Sequence, residues 1–285
     1  MTYKLIAHSI HEVGKRSNQE DYIYPLPENM PSSSSLYILC DGMGGHAAGE
    51  VASKAVCDTL SHILSAIPDD QPFTEEMFNS ALNAAYDSLD GLDNEEEKKM
   101  GTTLVFAKFH SGGCFIAHIG DSRLYHIRPS KKEILHVTRD HSLVNELISL
   151  GEMTEEEART SRQKNVITRA IQPHQETRQK ADCVNLTDLE SGDYLFLCSD
   201  GMLEKTEDRE LVSILSLNAS DKRKMEVLSN VTKDNQDNHS AILVRIDSLN
   251  GGGSLKKTPR NKHHYWLFVL LLVLIGILAV FFYMK

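Results

Sequence analysis

Three apolar, strand-like runs in this chain lead straight into an aspartate, and no other feature restricts its fold so tightly. Residues 36–40 run into Asp41-Gly42, residues 115–119 into Gly120-Asp121, and residues 194–198 into Ser199-Asp200-Gly201. An apolar strand is buried, so its last residue is held rigidly at the sheet edge. An aspartate there leaves a carboxylate at the rim, and the neighbouring glycine lets the backbone approach a ligand closely. One such Asp-Gly is an ordinary turn. Three of them, beside Glu20-Asp21 and Asp237-Asn238, predict a convergent carboxylate cluster.

Bare like charges that close would repel and raise one another's pKa values. Divalent cations relieve the repulsion, and an all-oxygen ligand set suits Mg²⁺ or Mn²⁺ rather than zinc. Carboxylate-held metal pairs commonly serve hydrolysis of phosphate esters. Arg16, five residues before Asp21, is a candidate for holding phosphate oxygens. The chain has no Walker loop, kinase HRD or DFG set, HExxH or GxSxG, so other routes to phosphate or acyl chemistry lack support.

Strand signals fall at 36–40, 103–109, 114–119, 123–127, 184–186, 194–198 and 241–246. The runs 103–109 and 114–119, joined by His-Ser-Gly-Gly, predict an antiparallel hairpin, and 123–127 is expected to continue it as a meander. Helical spacing predicts one helix near 49–66 with Val51, Ala55, Leu60, Ile63 and Leu64 on its buried face. A second starts at Thr74 with Met77, Phe78, Ala81, Leu82 and Ala85 inward, and weaker ones fall near 143–150, 207–217 and 221–231. Hairpins and helices come in blocks, which predicts an α+β fold of mostly antiparallel sheets covered by helices.

The C-terminal segment reads differently. Residues 266–283 contain no charge, and as a helix these 18 residues would span about 27 Å, near the thickness of a bilayer core. Tyr265, Trp266, Phe281, Phe282 and Tyr283 suit the two interfaces. Lys256, Lys257, Arg260 and Lys262 precede the run, and positive flanks stay cytoplasmic. The expected organisation is a soluble domain over 1–249, a flexible basic linker over 250–264 and a transmembrane helix over 265–284. That places a single-pass protein at the cell membrane with its soluble domain in the cytoplasm. The net charge is −10, and since 251–285 hold five basic residues and no acid, residues 1–250 carry 25 Lys and Arg against 40 Asp and Glu. So acidic a domain excludes nucleic acid as a partner. Cys40, Cys57, Cys114, Cys183 and Cys198 show no CxxC spacing and are expected to be buried thiols in a reducing compartment.

Taken in order, Arg16-Ser-Asn-Gln-Glu-Asp21, Asp41-Gly-Met-Gly-Gly-His46, Gly101-Thr-Thr103, Gly120-Asp-Ser-Arg123, Ser199-Asp-Gly201 and Asp237-Asn238 resemble the type-2C metal-dependent protein phosphatases, particularly the bacterial branch. The resemblance runs from about residue 6 to 246. It implies a central β-sandwich of two antiparallel sheets with helices outside, and hydrolysis of phosphoserine and phosphothreonine in proteins. It further implies that Asp41 bridges two Mn²⁺ or Mg²⁺ ions with the Gly42 carbonyl on one, and that Asp200 and Asp237 hold the second. Glu20 and Asp21 would act at the metals partly through water, and Asp121 would help hold a third, weaker ion. Arg16 would bind the phosphate while a water activated by the two ions attacks phosphorus in line. Residues 140–151 and 165–171 resemble the ends of the family's flap, with the charged stretch 152–162 between them. An opposing Ser/Thr kinase is the implied partner.

Three positions depart from the pattern. Met43 stands where many eukaryotic relatives carry the histidine often assigned as general acid. His46 is a nearby alternative donor, and a metal-bound water another. Gln172 replaces a usual glycine, and His239-Ser240 replaces a hydrophobic residue and threonine. A catalytically silent phosphoprotein-binding regulator and a phosphatase of a small metabolite are the competing readings.

Overall fold

The computed structural model describes residues 2–27, 34–44, 48–92 and 100–250. Residues 1–250 form one compact unit and 251–285 a second. The second lies outside the described residues, and with it the expected transmembrane helix and all of the expected linker but Asn250. Among the described residues no helix is long and apolar enough to cross a membrane.

Two antiparallel sheets form the centre. In the first, the order is β1 (Thr2–Glu12), β11 (His239–Asn250), β10 (Tyr194–Cys198), β7 (Arg123–Arg128) and β8 (Glu133–Val137). In the second it is β2 (Asp21–Tyr24), β3 (Leu36–Met43), β5 (Leu104–His110), β6 (Gly113–Ile119) and β9 (Asp182–Leu186), with the two-residue β4 (Gly101–Thr102) added to β3. Successive strand residues point to opposite faces, and here both faces are covered, which is why these strands read as unbroken apolar runs. Leu39, Val105, Ala107 and Ile116 of one sheet meet Leu124, Leu195, Leu197, Ile242 and Val244 of the other between the layers.

The alternate residues face helices. Ile38, Cys40, Phe106 and Phe115 pack under α1 (Ala48–Leu64) and α2 (Glu75–Asp90). Phe78 sits 5.0 Å from Phe106 and 5.6 Å from Phe115 between ring centroids, which locks α2 to the sheet. On the far side Tyr125, Phe196, Cys198 and Leu243 pack against α5 (Asp208–Leu215) and α6 (Asp221–Thr232). Two short helices, α3 (Leu143–Ser149) and α4 (Glu155–Thr160), fill the segment expected to be a flap.

The helix starts follow the sequence closely. Thr74 caps α2 by accepting from the Met77 amide, 3.3 Å away. The buried faces need correction. Along α1 the inward residues are Ala52, Val56, Cys57, Leu60 and Leu64, and Val51 is exposed, as is Met77 on α2. The expected meander is also corrected. β5 and β6 are an antiparallel hairpin, but the next strand, β7, belongs to the opposite sheet. Gly120 makes that corner with a φ of 104°, open to glycine and strained for other residues. Strands β1, β2, β4 and β8 carry no strong sequence signal; only Leu5 and Ile10 of β1 are fully buried. Four cysteines are buried free thiols, whereas Cys183 is partly exposed.

Candidate metal centre

The strand ends do converge. Asp41 lies on β3 directly opposite Asp21 on β2, and in an antiparallel ladder such partners share a face. Asp200 opens a single 3₁₀ turn (Asp200–Glu204) directly after Ser199, the residue that follows β10, and its charge acts on Asp41. Asp121 follows the Gly120 corner after β6, and Asp237 sits just before β11. Asp121, Asp200 and Asp237 line one cleft of about 890 Å³ that continues between α3 and α4, past Arg139, Arg159 and Lys164.

Backbone clamps fix this rim. The Glu20 carbonyl accepts from the Gly42 amide at 3.1 Å and from Ser53 Oγ at 2.6 Å. The Asp41 carbonyl accepts from the Thr103 amide at 2.8 Å and from Thr102 Oγ1 at 2.9 Å. A Cβ on Gly42 would overlap the Gly49 and Glu20 carbonyl oxygens, so only glycine lets α1 start so close to the metal-side strand. Asn238 accepts from the Glu20 amide and donates to the Val13 and Asn18 carbonyls at 2.8–2.9 Å, tying the N-terminal segment to β11. Glu204 accepts from the Gln236 and Asp237 amides at 2.9 and 3.2 Å.

The electrostatics are those of crowded, buried acids. Burial pushes Asp21 up to about 7, aided by the charges of Asp200 and Asp237 and opposed by hydrogen bonds from Ser240 and Ser199. Asp121 also rises to about 7, through burial and then the Asp200 and Asp140 charges. Asp41 lies well above the usual carboxylate range, and Asp200 above it, again through burial first and neighbouring aspartates second. Oδ1 of Asp21 and Oδ1 of Asp121 are buried without a hydrogen-bond partner. An orphaned, buried carboxylate oxygen is costly unless a cation meets it. Oxygen-only donors with two such orphans fit hard divalent cations such as Mn²⁺ or Mg²⁺.

Arg16 reaches the same rim from the turn after β1. Its Nη2 donates to Asp237 Oδ2 at 2.6 Å, and that hydrogen bond raises its pKa further. The other oxygen of Asp237 accepts from the Asn238 amide at 2.9 Å. Glu20 is half-buried, with Oε1 3.4 Å from Asn18 Nδ2. All eight predicted positions therefore gather at one edge of the sandwich. His46 lies outside the described residues.

Sequence reasoning passed over Ser199, which donates to Asp21 Oδ2 at 2.8 Å while accepting from the Ser240 amide at 3.0 Å. It also passed over the forked pair in which Arg123 donates to both Asp140 oxygens at 2.6 and 2.7 Å. Their presence inside quoted motifs was the available signal.

The protein phosphatase 2C family model matches residues 13–241. Protein phosphatase PhpP of Streptococcus pneumoniae is 38% identical over 204 residues, covering 70% of this chain and 80% of that protein. The crystal structure of serine/threonine phosphatase Stp1 from Staphylococcus aureus superposes with a TM-score of 0.71 at 32% identity, over 87% of this chain and 97% of that one. The catalytic domain of serine/threonine protein phosphatase PstP in complex with two manganese ions does so with a TM-score of 0.71 at 28% identity, over 86% and 99%. The chain belongs to the protein phosphatase 2C family and is a metal-dependent protein serine/threonine phosphatase.

Proposed function

We propose that this phosphatase acts on phosphoserine and phosphothreonine of cytoplasmic proteins through a water activated by two divalent cations, and that its C-terminal segment tethers it to the membrane. The observation that carries the catalytic part is the crowding of Asp21, Asp41 and Asp200 at one rim with orphaned carboxylate oxygens beside an open cleft. Asp41, Asp200, Asp237 and the Gly42 carbonyl would hold the pair of ions, with Glu20 and Asp21 beside them and Asp121 at a third, weaker site. When bound, the cations supply an activated water and offset charge on the phosphoryl oxygens.

The chain's own residues do the rest. Arg16, which donates to Asp237, would be free to turn to substrate where that carboxylate holds a cation, and its planar guanidinium would receive two phosphate oxygens. The fork between Arg123 and Asp140 holds the cleft wall below α3 and α4 in place. Met43 ends β3 and offers no proton to the departing serine or threonine oxygen.

The tether rests on the uncharged run 266–283 and the basic residues before it. It faces the catalytic unit toward the cytoplasm, where an opposing Ser/Thr kinase supplies the phosphoproteins. The deciding experiment follows phosphate release from a phosphothreonine peptide by the full chain, with Mn²⁺ and with chelator, beside Asp200→Asn. Manganese-dependent release lost in the variant is expected. Release that survives either chelator or the variant would refute the dimetal mechanism.

A further inference from the structure

A second cluster of ligand-type side chains lies behind Asp121. His118, His141 and Asp182 each bring one ligand atom within 4.8 Å of the others. Two imidazoles and a carboxylate are a common transition-metal set, but the hydrogen bonds assign a different role. Nδ1 of His141 accepts from the Gly120 amide at 3.0 Å, so the proton of the neutral ring sits on Nε2. That nitrogen lies 3.2 Å from Asp182 Oδ2, to which it donates, and 3.3 Å from Arg169 Nη1, and it has no lone pair left for a cation. Burial, then the adjacent His118, lowers the His141 pKa, which agrees with a neutral ring. Arg169 donates to Asp182 Oδ1 at 3.0 Å and already supplies the positive charge a metal would bring.

The same ring connects two parts of the candidate site. Its backbone amide donates to the Gly120 carbonyl at 2.9 Å, so side chain and main chain both grip the residue before Asp121. Its carbonyl accepts from the Thr168 amide at 2.9 Å, and the Leu143 amide donates to the Val166 carbonyl at 2.9 Å. An isolated bridge pairs Ser142 with Ile167. The two ends of the segment carrying α3 and α4 are thereby clasped at His141. Beneath it, His118 stacks on the ring at 4.5 Å with planes 10° apart, and its Nε2 donates to the Arg139 carbonyl at 2.9 Å.

We propose that His141 is a positioning residue which locks the Gly120-Asp121 corner to the base of the α3–α4 flap, so that the Asp121 carboxylate and the substrate-facing flap hold one register. One arm of the ring, Nδ1 to Gly120, sets Asp121. The other, Nε2 to Asp182 and its partner Arg169, sets the flap. The proposal rests on the reading of Asp121 as a metal-side carboxylate.

The two arms are separable. His141→Asn keeps an acceptor at the Nδ1 position and loses the Asp182 arm, whereas His141→Gln reaches Asp182 and leaves the Gly120 amide unpaired. Asp182→Asn, at an exposed position, weakens the flap arm without risk to the core. Full-length protein is titrated with Mn²⁺ by calorimetry, and kinetics are compared for a phosphothreonine peptide and a small aryl phosphate. His141→Gln is expected to weaken Mn²⁺ binding about tenfold, in proportion to one lost buried hydrogen bond. His141→Asn and Asp182→Asn are expected to bind Mn²⁺ as the parent does but to raise the peptide KM about fivefold, leaving the aryl phosphate KM unchanged. Variants that only lower Tm, or that shift Mn²⁺ affinity and peptide KM alike, overturn the proposal. If the His141 variants do not fold, an unchanged peptide-to-aryl ratio in Asp182→Asn overturns it. A parent that binds no Mn²⁺ removes the metal reading itself, which the calorimetry shows before any variant is compared.

Discussion

Asp21 and Asp41 are direct cross-strand partners in the β2–β3 ladder. Like charges set opposite each other destabilise a sheet, and Asp21 is buried and Asp41 half-buried among further carboxylates. The fold therefore carries an electrostatic penalty at this edge that bound cations offset, which ties stability to the metal.

The penalty depends on pH. Asp21 titrates near 7 in the folded chain, far above an unfolded aspartate near 3.8. Between those values the folded state keeps a proton that the unfolded state has released, so this group's contribution to stability is full at low pH and is lost as pH rises through about 7. The lowered pKa values of His110, His136 and His141 act in the opposite sense below about 6.5. The difference between parent and variant cancels the histidine contributions. In chelator, the stability of Asp21→Asn relative to the parent should rise by roughly 2–4 kcal/mol between pH 5 and pH 8, measured by urea unfolding. A constant difference would contradict the assignment.

Asn238 makes three hydrogen bonds that hold residues 13–20 against β11. Asn238→Ala should cost about 3 kcal/mol of stability and weaken Mn²⁺ binding, because Glu20 and Asp21 lose their anchor. Unchanged calorimetric affinity would show that the clamp does not position them.

Gly42→Ala places a methyl group against two carbonyl oxygens. A loss of at least about 2 kcal/mol is expected from overpacking, together with impaired Mn²⁺ binding. A variant with parental Tm would mean that α1 can retreat freely from β3.

Arg16 is exposed, so its pair with Asp237 adds little to stability. Arg16→Ala should leave Tm within about 1 °C and raise the KM for a phosphothreonine peptide about tenfold. Arg16→Lys should recover only part of this, since an ammonium lacks the planar fork. Equal KM values for all three proteins would remove the residue from phosphate binding.

Removing residues 255–285 should move the protein from the membrane pellet to the supernatant after cell fractionation. Retention of the truncated chain in the pellet would end the tether proposal.

The local pattern was enough to mark seven of the strands, five of the helix starts, and every carboxylate of the rim, because apolar periodicity and Asp-Gly strand ends act within a few residues. It was not enough for strands β1, β2 and β8. β1 and β8 lie at the edges of the first sheet and β2 at an edge of the second, and of the three only β1 and β2 bury apolar side chains fully, two on β1 and one on β2. Nor could it place β7, since a chain that turns at Gly120 leaves the same signature whether it continues its own sheet or crosses to the other.

Residue by residue, the division is clear. The sequence by itself determined which side chains are candidates for metal and phosphate, since Asp after a buried strand recurs three times beside Glu20-Asp21 and Asp237, although one such motif alone is an ordinary turn. The tertiary structure decided that Arg16 meets Asp237, 221 positions away, that Ser199 serves Asp21, and that His141 grips Gly120. The reason is that strand pairing joins partners through backbone hydrogen bonds available to any residue, so the choice of partner is set by which buried faces fit, and only the folded chain settles that.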